Sequence, residues 1–139
     1  MQFPIALSSH RRIVIAPEGW FEGIGRLDAA RGALEIGLNP LGEGGLAWFI
    51  DTQGLFYVLQ WQGRQRKSMA QWAGFARQRE RYAIAAPRPI QAAELLQWTE
   101  GYTEQAEDAP HTADLRSDLQ GLPGDRLLDQ VFMRKYLGA

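Results

Sequence analysis

The chain has no cysteine among its 139 residues. This absence excludes a disulfide framework, a thiol nucleophile, an iron–sulfur cluster and a cysteine-rich zinc site. Histidine is almost as scarce, with two residues. General acid–base chemistry near neutral pH would therefore have to begin with His10 or His111.

An excess of charge of either sign is also missing. Fifteen lysines and arginines stand against sixteen acidic residues, for a formal net charge of −1. Because no overall positive field attracts a polyanion, we expect no nucleic-acid partner. The apolar segment 13–16 near the amino terminus is far too short for a membrane span or a signal core. We expect a cytoplasmic protein that does not bind membranes.

The composition changes along the chain from strand-forming to helix-forming residues. β-Branched and aromatic residues, punctuated by glycine, dominate up to Gly63, and alanine, glutamine, leucine, arginine and glutamate dominate from Arg64. No Ser/Gly/Pro linker marks the change, which predicts one domain over 1–139, with mainly strands over 1–63 and mainly helices over 64–139. The expected fold class is α+β: an antiparallel sheet of about five strands from the N-terminal half, with the helices of the C-terminal half packed on one face.

Alternating apolar residues between turn signals predict the individual strands. Asp28 and Gly32 bracket one hairpin turn. Segment 55–61 has two apolar faces, which favours a central strand, the alternative being a face left open for a partner. The predicted strands are 12–16, 22–28, 33–38, 46–51, 55–61 and 82–86.

Helical spacing of apolar residues dominates the second half. Ser68 and Gln71 match a capping box ahead of a helix over 69–79. Thr112 can cap a short helix that Gly121 ends. The longest candidate is 91–105, and 125–137 reads as a docked terminal helix.

Neither histidine lies in a recognisable catalytic or metal-binding motif. His10 follows two serines, a pattern typical of a polar turn before a strand. Glu107, Asp108, His111 and Asp114 have ligand-like spacing, but a proline at position 110 interrupts the helix that would align them. We expect no metal and no cofactor.

Charge is segregated into a basic block over 64–81 and an acidic block over 94–108. The basic block contains a single carboxylate, Glu80, and is either balanced by the acidic block or forms a surface for an oppositely charged partner. Its cations are Arg64, Arg66, Lys67, Arg77, Arg79 and Arg81.

Aromatic residues offer a second candidate surface. Trp48 and Trp61 have core-compatible positions in predicted strands. Trp20 and Phe21 instead lie in a segment of turn residues and carboxylates, where they either close the edge of the core or stand exposed as interface anchors.

These features favour a non-catalytic protein-interaction domain that binds, and inhibits or neutralises, a partner protein through the basic block and the pair Trp20 and Phe21. Small immunity proteins and antitoxins are similar in size and charge asymmetry, which is an analogy. One alternative is a small enzyme that uses either histidine with Glu18 or Asp51, and another is a domain that holds an apolar ligand between sheet and helices. A homo-oligomer is compatible with every interpretation.

Overall fold

A computed structural model describes residues 1–21, 25–37, 45–64, 79–102 and 111–138. Within these ranges the strands precede the helices, and the α+β class is confirmed. The strands are β1 Ile5–Ser9, β2 Arg12–Ala16, β3 Gly25–Asp28, β4 Ala33–Gly37, β5 Leu46–Ile50, β6 Leu55–Arg64, β7 Arg79–Ile84 and β8 Arg88–Pro89. The helices are α1 Ala92–Trp98, α2 His111–Gln120 and α3 Gln130–Leu137.

The strands form one antiparallel sheet with the order β2-β1-β5-β6-β7-β4-β3, and β8 pairs with β6. The sheet is thus larger than the predicted five strands. Both predicted hairpins, β3–β4 and β5–β6, are present. Strand β6 pairs with β5, β7 and β8, so the central position predicted from its two apolar faces is confirmed.

Two hydrophobic clusters lie on the opposite faces of the sheet. One joins the sheet to all three helices through residues such as Trp48 and Phe56, both 0 % exposed. The other brings together side chains of β1, β4, β5, β6 and β7, which are not all neighbours in the strand order. The sheet therefore curls around this second cluster. Trp61, expected in the core, lies opposite Tyr82 but remains 44 % exposed.

Strand β1 is the largest omission from the predicted sheet. It pairs with β2 through a two-residue turn in which His10 and Arg11 have φ values of 51° and 60°. Positive φ at both central residues is typical of the hairpin turn for which Asn-Gly is the usual sequence signal. The predicted polar turn at His10 is present. Because this turn contains neither glycine nor asparagine, the sequence did not predict the strand before it.

Several predicted element bounds are wrong. Arg79 begins β7, so it does not end the predicted helix 69–79, whose other residues lie outside the described ranges. Helix α1 ends at Trp98, with Gly101 at φ 79° soon after it, so a helix over 91–105 is excluded. Helix α3 begins at Gln130 because the Asp129 side chain accepts a hydrogen bond from the backbone of the third helical residue.

Asp51 holds the amino-terminal segment against the β5–β6 turn. Its side chain is 0 % exposed. One carboxylate oxygen accepts from the backbone N–H groups of Gln53 and Leu55 at 3.0 Å, and the other accepts from the backbone of Gln2 and the hydroxyl of Tyr57 at 3.3 Å. With four donors present, the desolvation cost of this buried carboxylate is offset. The Asp51 carboxylate thus has a structural role, because its contacts connect the amino-terminal segment with the β5–β6 turn.

Replacement of Arg11 by glycine is expected to stabilise the fold. A left-handed conformation costs a non-glycine residue about 1–2 kcal/mol, and glycine lacks that cost. After subtracting the greater freedom of glycine in the unfolded chain, we expect a gain of about 0.5–1 kcal/mol in urea unfolding. Arg11→Ala is the matched control and should give no gain. Equal stability of the two variants would contradict the assigned turn.

Tyr57 should make the free energy of unfolding sensitive to alkaline pH. Burial, followed by the neighbouring Asp51 carboxylate, raises the pKa of Tyr57 from 10.0 to about 12. Since the folded state holds the proton more tightly, this stabilisation is complete below pH 10 and is lost between pH 10 and 12. Tyr57→Phe should remove up to about 1.4 kcal/mol per pH unit from that decline, measured by chemical unfolding. If the free energy of unfolding declined equally with pH in the wild type and in Tyr57→Phe, a raised pKa of Tyr57 would be refuted.

Candidate functional site

The two ends of the sheet are protected differently. At one end, helix α2 packs on β2, and the Thr112 hydroxyl accepts a hydrogen bond from the backbone N–H of Ile13 at 3.1 Å. At the other end, β3 pairs with β4 and with no other strand in the described parts of the chain. An edge strand carries backbone donors and acceptors that can pair with another polypeptide. The edge of β3 is therefore the candidate site.

A turn beside β3 supplies aromatic side chains to this site. The backbone N–H of Trp20 donates to the Pro17 carbonyl at 3.0 Å, and Gly19 has a φ of 86°, which favours glycine. The backbone N–H of Gly25 donates to the Phe21 carbonyl at 2.7 Å. This bond ties the aromatic turn to the first residue of the edge strand.

A groove of about 530 Å³ separates the turn from β3. Its described lining is apolar at Phe3, Phe21 and Leu27 and carries one carboxylate, at Glu18. Arg26 borders the groove from β3, but the alternation that turns Leu27 toward the groove turns the Arg26 side chain to the other face. The complete described lining is Phe3, Glu18, Gly19, Phe21, Gly25, Arg26 and Leu27. A groove of this size can receive one or two apolar side chains of an extended segment.

Phe21 forms the floor of the groove. It is 3 % exposed and contacts the rings of Phe3, Trp20 and Phe49 at centroid distances of 6.4, 4.9 and 5.7 Å. Of the two positions expected for the aromatic pair, Phe21 thus closes the edge of the core. Trp20 is half-buried and packs edge-on against Phe21. Contact of either residue with a partner stays a prediction.

The outer face of β3 carries alternating charge. Cross-strand pairing places Arg26 opposite Glu35 of β4, and Glu35 opposite Arg81 of β7. Arg81 is exposed and lies on β7, two strands from the sheet end. Opposite charges on directly opposed residues stabilise a sheet by about 0.2–1 kcal/mol per pair. The oppositely charged cross-strand neighbour of Arg81 is therefore Glu35 of β4.

The other cations of the basic block are only partly described. Arg64 ends β6 and Arg79 begins β7. Arg66, Lys67 and Arg77 lie outside the described residues. Their role in partner binding stays a prediction.

The two histidines occupy separate places. His10 is exposed in the β1–β2 turn, with its ring lying over Gly45 and 3.3 Å from the hydroxyl of Ser9. His111 begins α2 and borders a groove of about 290 Å³, together with Asp114, Asp118 and Lys135. A histidine beside carboxylates in a concave site is the arrangement that an enzyme would need, and His111 has it in part.

Asp51 and Glu18, the carboxylates expected to act with a histidine, have other neighbours in the described structure. The Asp51 carboxylate is occupied by the amino-terminal segment and its own turn, and Glu18 lies at the β3 groove. Among the described residues no three His, Asp or Glu side chains are placed to hold a metal ion. Glu107 and Asp108 lie outside those residues.

The interface between sheet and helices is filled by side chains. Leu95, Leu115 and Met133 of the three helices are each 0 % exposed and belong to one cluster with sheet residues. The expectation of an apolar ligand in this layer stays a prediction.

No protein-family model matches the chain, and neither a curated protein nor a solved structure is significantly similar to it. In the described segments, no helix is both long and apolar enough to cross a bilayer. The fold and the site define an α+β domain with an unequal pair of sheet edges.

Phe21→Ala is expected to destabilise the protein by about 3–5 kcal/mol, because the ring fills the end of the second core and its removal leaves a cavity. Urea unfolding measures this change. Trp20→Ala is the adjacent control and should cost less, since Trp20 is half-buried. A loss below about 1 kcal/mol for Phe21→Ala would mean that the ring does not close the core.

Proposed function

We propose that this chain is a non-catalytic interaction domain that binds a partner polypeptide as an added strand on β3. The observation that carries the proposal is the contrast between the sheet ends: β2 is covered by α2, whereas β3 has an aromatic groove beside an edge that pairs only with β4 among the described residues. Strand addition is a common mode of peptide recognition because an exposed edge presents aligned backbone groups.

The two faces of β3 would read different side chains of the added strand. Successive residues of a strand point to opposite faces. Residues on the inner face would enter the groove between Phe3 and Leu27, above the ring of Phe21. Residues on the outer face would lie beside Arg26. Backbone hydrogen bonds would supply affinity, and the groove would supply specificity.

A binding role accounts for more of the site than catalysis does. The buried Asp51 and Tyr57 pair is engaged in holding the amino-terminal segment. The groove at His111 is smaller than the β3 groove, and Asp114, Asp118 and Lys135 on its lining are exposed. His111→Ala should therefore leave binding at β3 unchanged.

A peptide-display selection against the purified protein, followed by calorimetry, tests the proposal. We expect peptides that bind the wild type to bind Leu27→Lys at least tenfold more weakly, since the charged side chain occupies the groove. Val131→Lys is the matched control, because Val131 is 76 % exposed on α3. Equal affinity for both variants would place the binding surface elsewhere.

Methylation of the peptide backbone distinguishes an added strand from a side-chain contact. Alternate N–H groups of an added strand point toward its neighbour. N-methyl groups on that half of the residues should abolish binding, and N-methyl groups on the other half should preserve it. Equal tolerance of both patterns would exclude strand addition at β3.

A further inference from the structure

Strand β3 is complementary in charge to a second copy of itself. Its sequence is Gly25-Arg26-Leu27-Asp28, and Arg26 and Asp28 are two residues apart on the outer face. If two β3 strands pair antiparallel with Leu27 opposite Leu27 of the other copy, each Arg26 lies opposite an Asp28. The arrangement is two-fold symmetric, as the shared patch of a dimer must be.

The charge row across the sheet continues in the same register. Within one chain the row runs Arg81, Glu35 and Arg26, of alternating sign. Asp28 of the second copy would add the next negative charge. A shift of the register by one residue would place Arg26 opposite Leu27 and turn charged side chains toward the apolar groove. The symmetric register is therefore favoured over its neighbours.

The inner face supports the same register. Leu27 lines the groove and packs partly against the second core. In the symmetric pair the two Leu27 side chains adjoin across the axis, beside the grooves of both copies. Apolar contact on one face and opposite charges on the other match the two faces of the edge strand.

We infer that β3 is a self-association edge, and that the partner strand received by this domain is β3 of a second copy. The inference rests on the proposed function, because it uses the same edge. Only four residues pair on each side, so the dimer is weaker than standard protein interfaces. A different partner strand at β3 would compete with the second copy.

Complementary charge variants give the decisive experiment. Arg26→Asp makes the edge wholly acidic and Asp28→Arg makes it wholly basic, so each variant alone places like charges opposite one another. Sedimentation equilibrium of the full chain should show a wild-type dimer, two monomeric variants and a heterodimer when the variants are mixed. Each lost pair is expected to weaken dimerisation by about 1.5- to 5-fold, and repulsion adds to this. Arg11→Asp, in the β1–β2 turn, is the control and should dimerise like the wild type.

A cysteine at the symmetry axis gives a measurement that does not depend on Asp28, whose side chain also accepts from the Arg31 backbone within the β3–β4 turn. The natural chain has no cysteine, so Leu27→Cys carries one thiol. On mild oxidation it should form a disulfide dimer rapidly, because directly opposed residues of paired strands lie within reach of one. Val131→Cys should cross-link no faster than random collision allows.

The outcomes separate this inference from the proposed function. Monomers at all concentrations, with slow cross-linking of Leu27→Cys, would overturn self-association even if selected peptides still bind at β3. Dimers that persist in Arg26→Asp would place the dimer contact elsewhere and would also overturn it. A peptide that binds β3 and dissociates the wild-type dimer would support both, and failure of peptides and dimers alike would refute both.

Discussion

The two apolar faces of β6 are the constraint on which the rest of the structure depends. Phe56 and Tyr57 are neighbours in sequence but belong to different hydrophobic clusters. A flat sheet with helices on one side would leave the Tyr57 face in water, at a cost of about 25 cal/mol for each Å² of apolar surface. The chain buries that face by curling the sheet, and it buries the other face with three helices. The curl of the sheet and the layer of helices are thus both explained by the need to bury the two faces of β6.

Curling has a consequence for the edges. A curled sheet that does not close has two terminal strands, each with backbone groups to satisfy. At β2, the Thr112 hydroxyl satisfies one of these backbone groups, the N–H of Ile13. At β3 the chain uses a strand of four residues with Arg26 and Asp28 on its outer face. Short length and charge limit pairing with arbitrary strands, and in the proposed dimer the same charges would specify which strand is accepted.

Local patterns predicted what depends on near neighbours. The β5–β6 hairpin was predictable because Gly54, at φ 84°, lies between two apolar runs. The β3–β4 hairpin followed from Asp28 and Gly32 in the same way. Strand β1 was not predicted, because the His10–Arg11 turn that follows it carries no such signal. The ends of α1 and α3 were also predicted wrongly, since helix ends depend on capping contacts that helix propensity does not show.

The candidate site depends on distant parts of the chain, and only fragments of it were predictable. The sequence identified Trp20 and Phe21 as a choice between core and surface, and packing against Phe49 places Phe21 in the core. Nothing local connects Phe3 with Leu27, because their proximity results from the curl. Likewise, the sequence shows Arg81 as one cation of a basic block, and the sheet register sets it opposite Glu35.

The register of the sheet also determines how charge would produce specificity at its edge. In a chain of nearly zero net charge, steering by the overall field is weak, so recognition must come from charges placed at fixed spacing. A sheet provides that spacing, because strand separation and residue rise fix where each side chain stands. A row of alternating sign that reaches the sheet edge at Arg26 therefore extends a pattern from the folded domain to whatever strand is added. In the proposed self-association, the fold and the partner would then be selected by one rule, opposition of unlike charges across neighbouring strands.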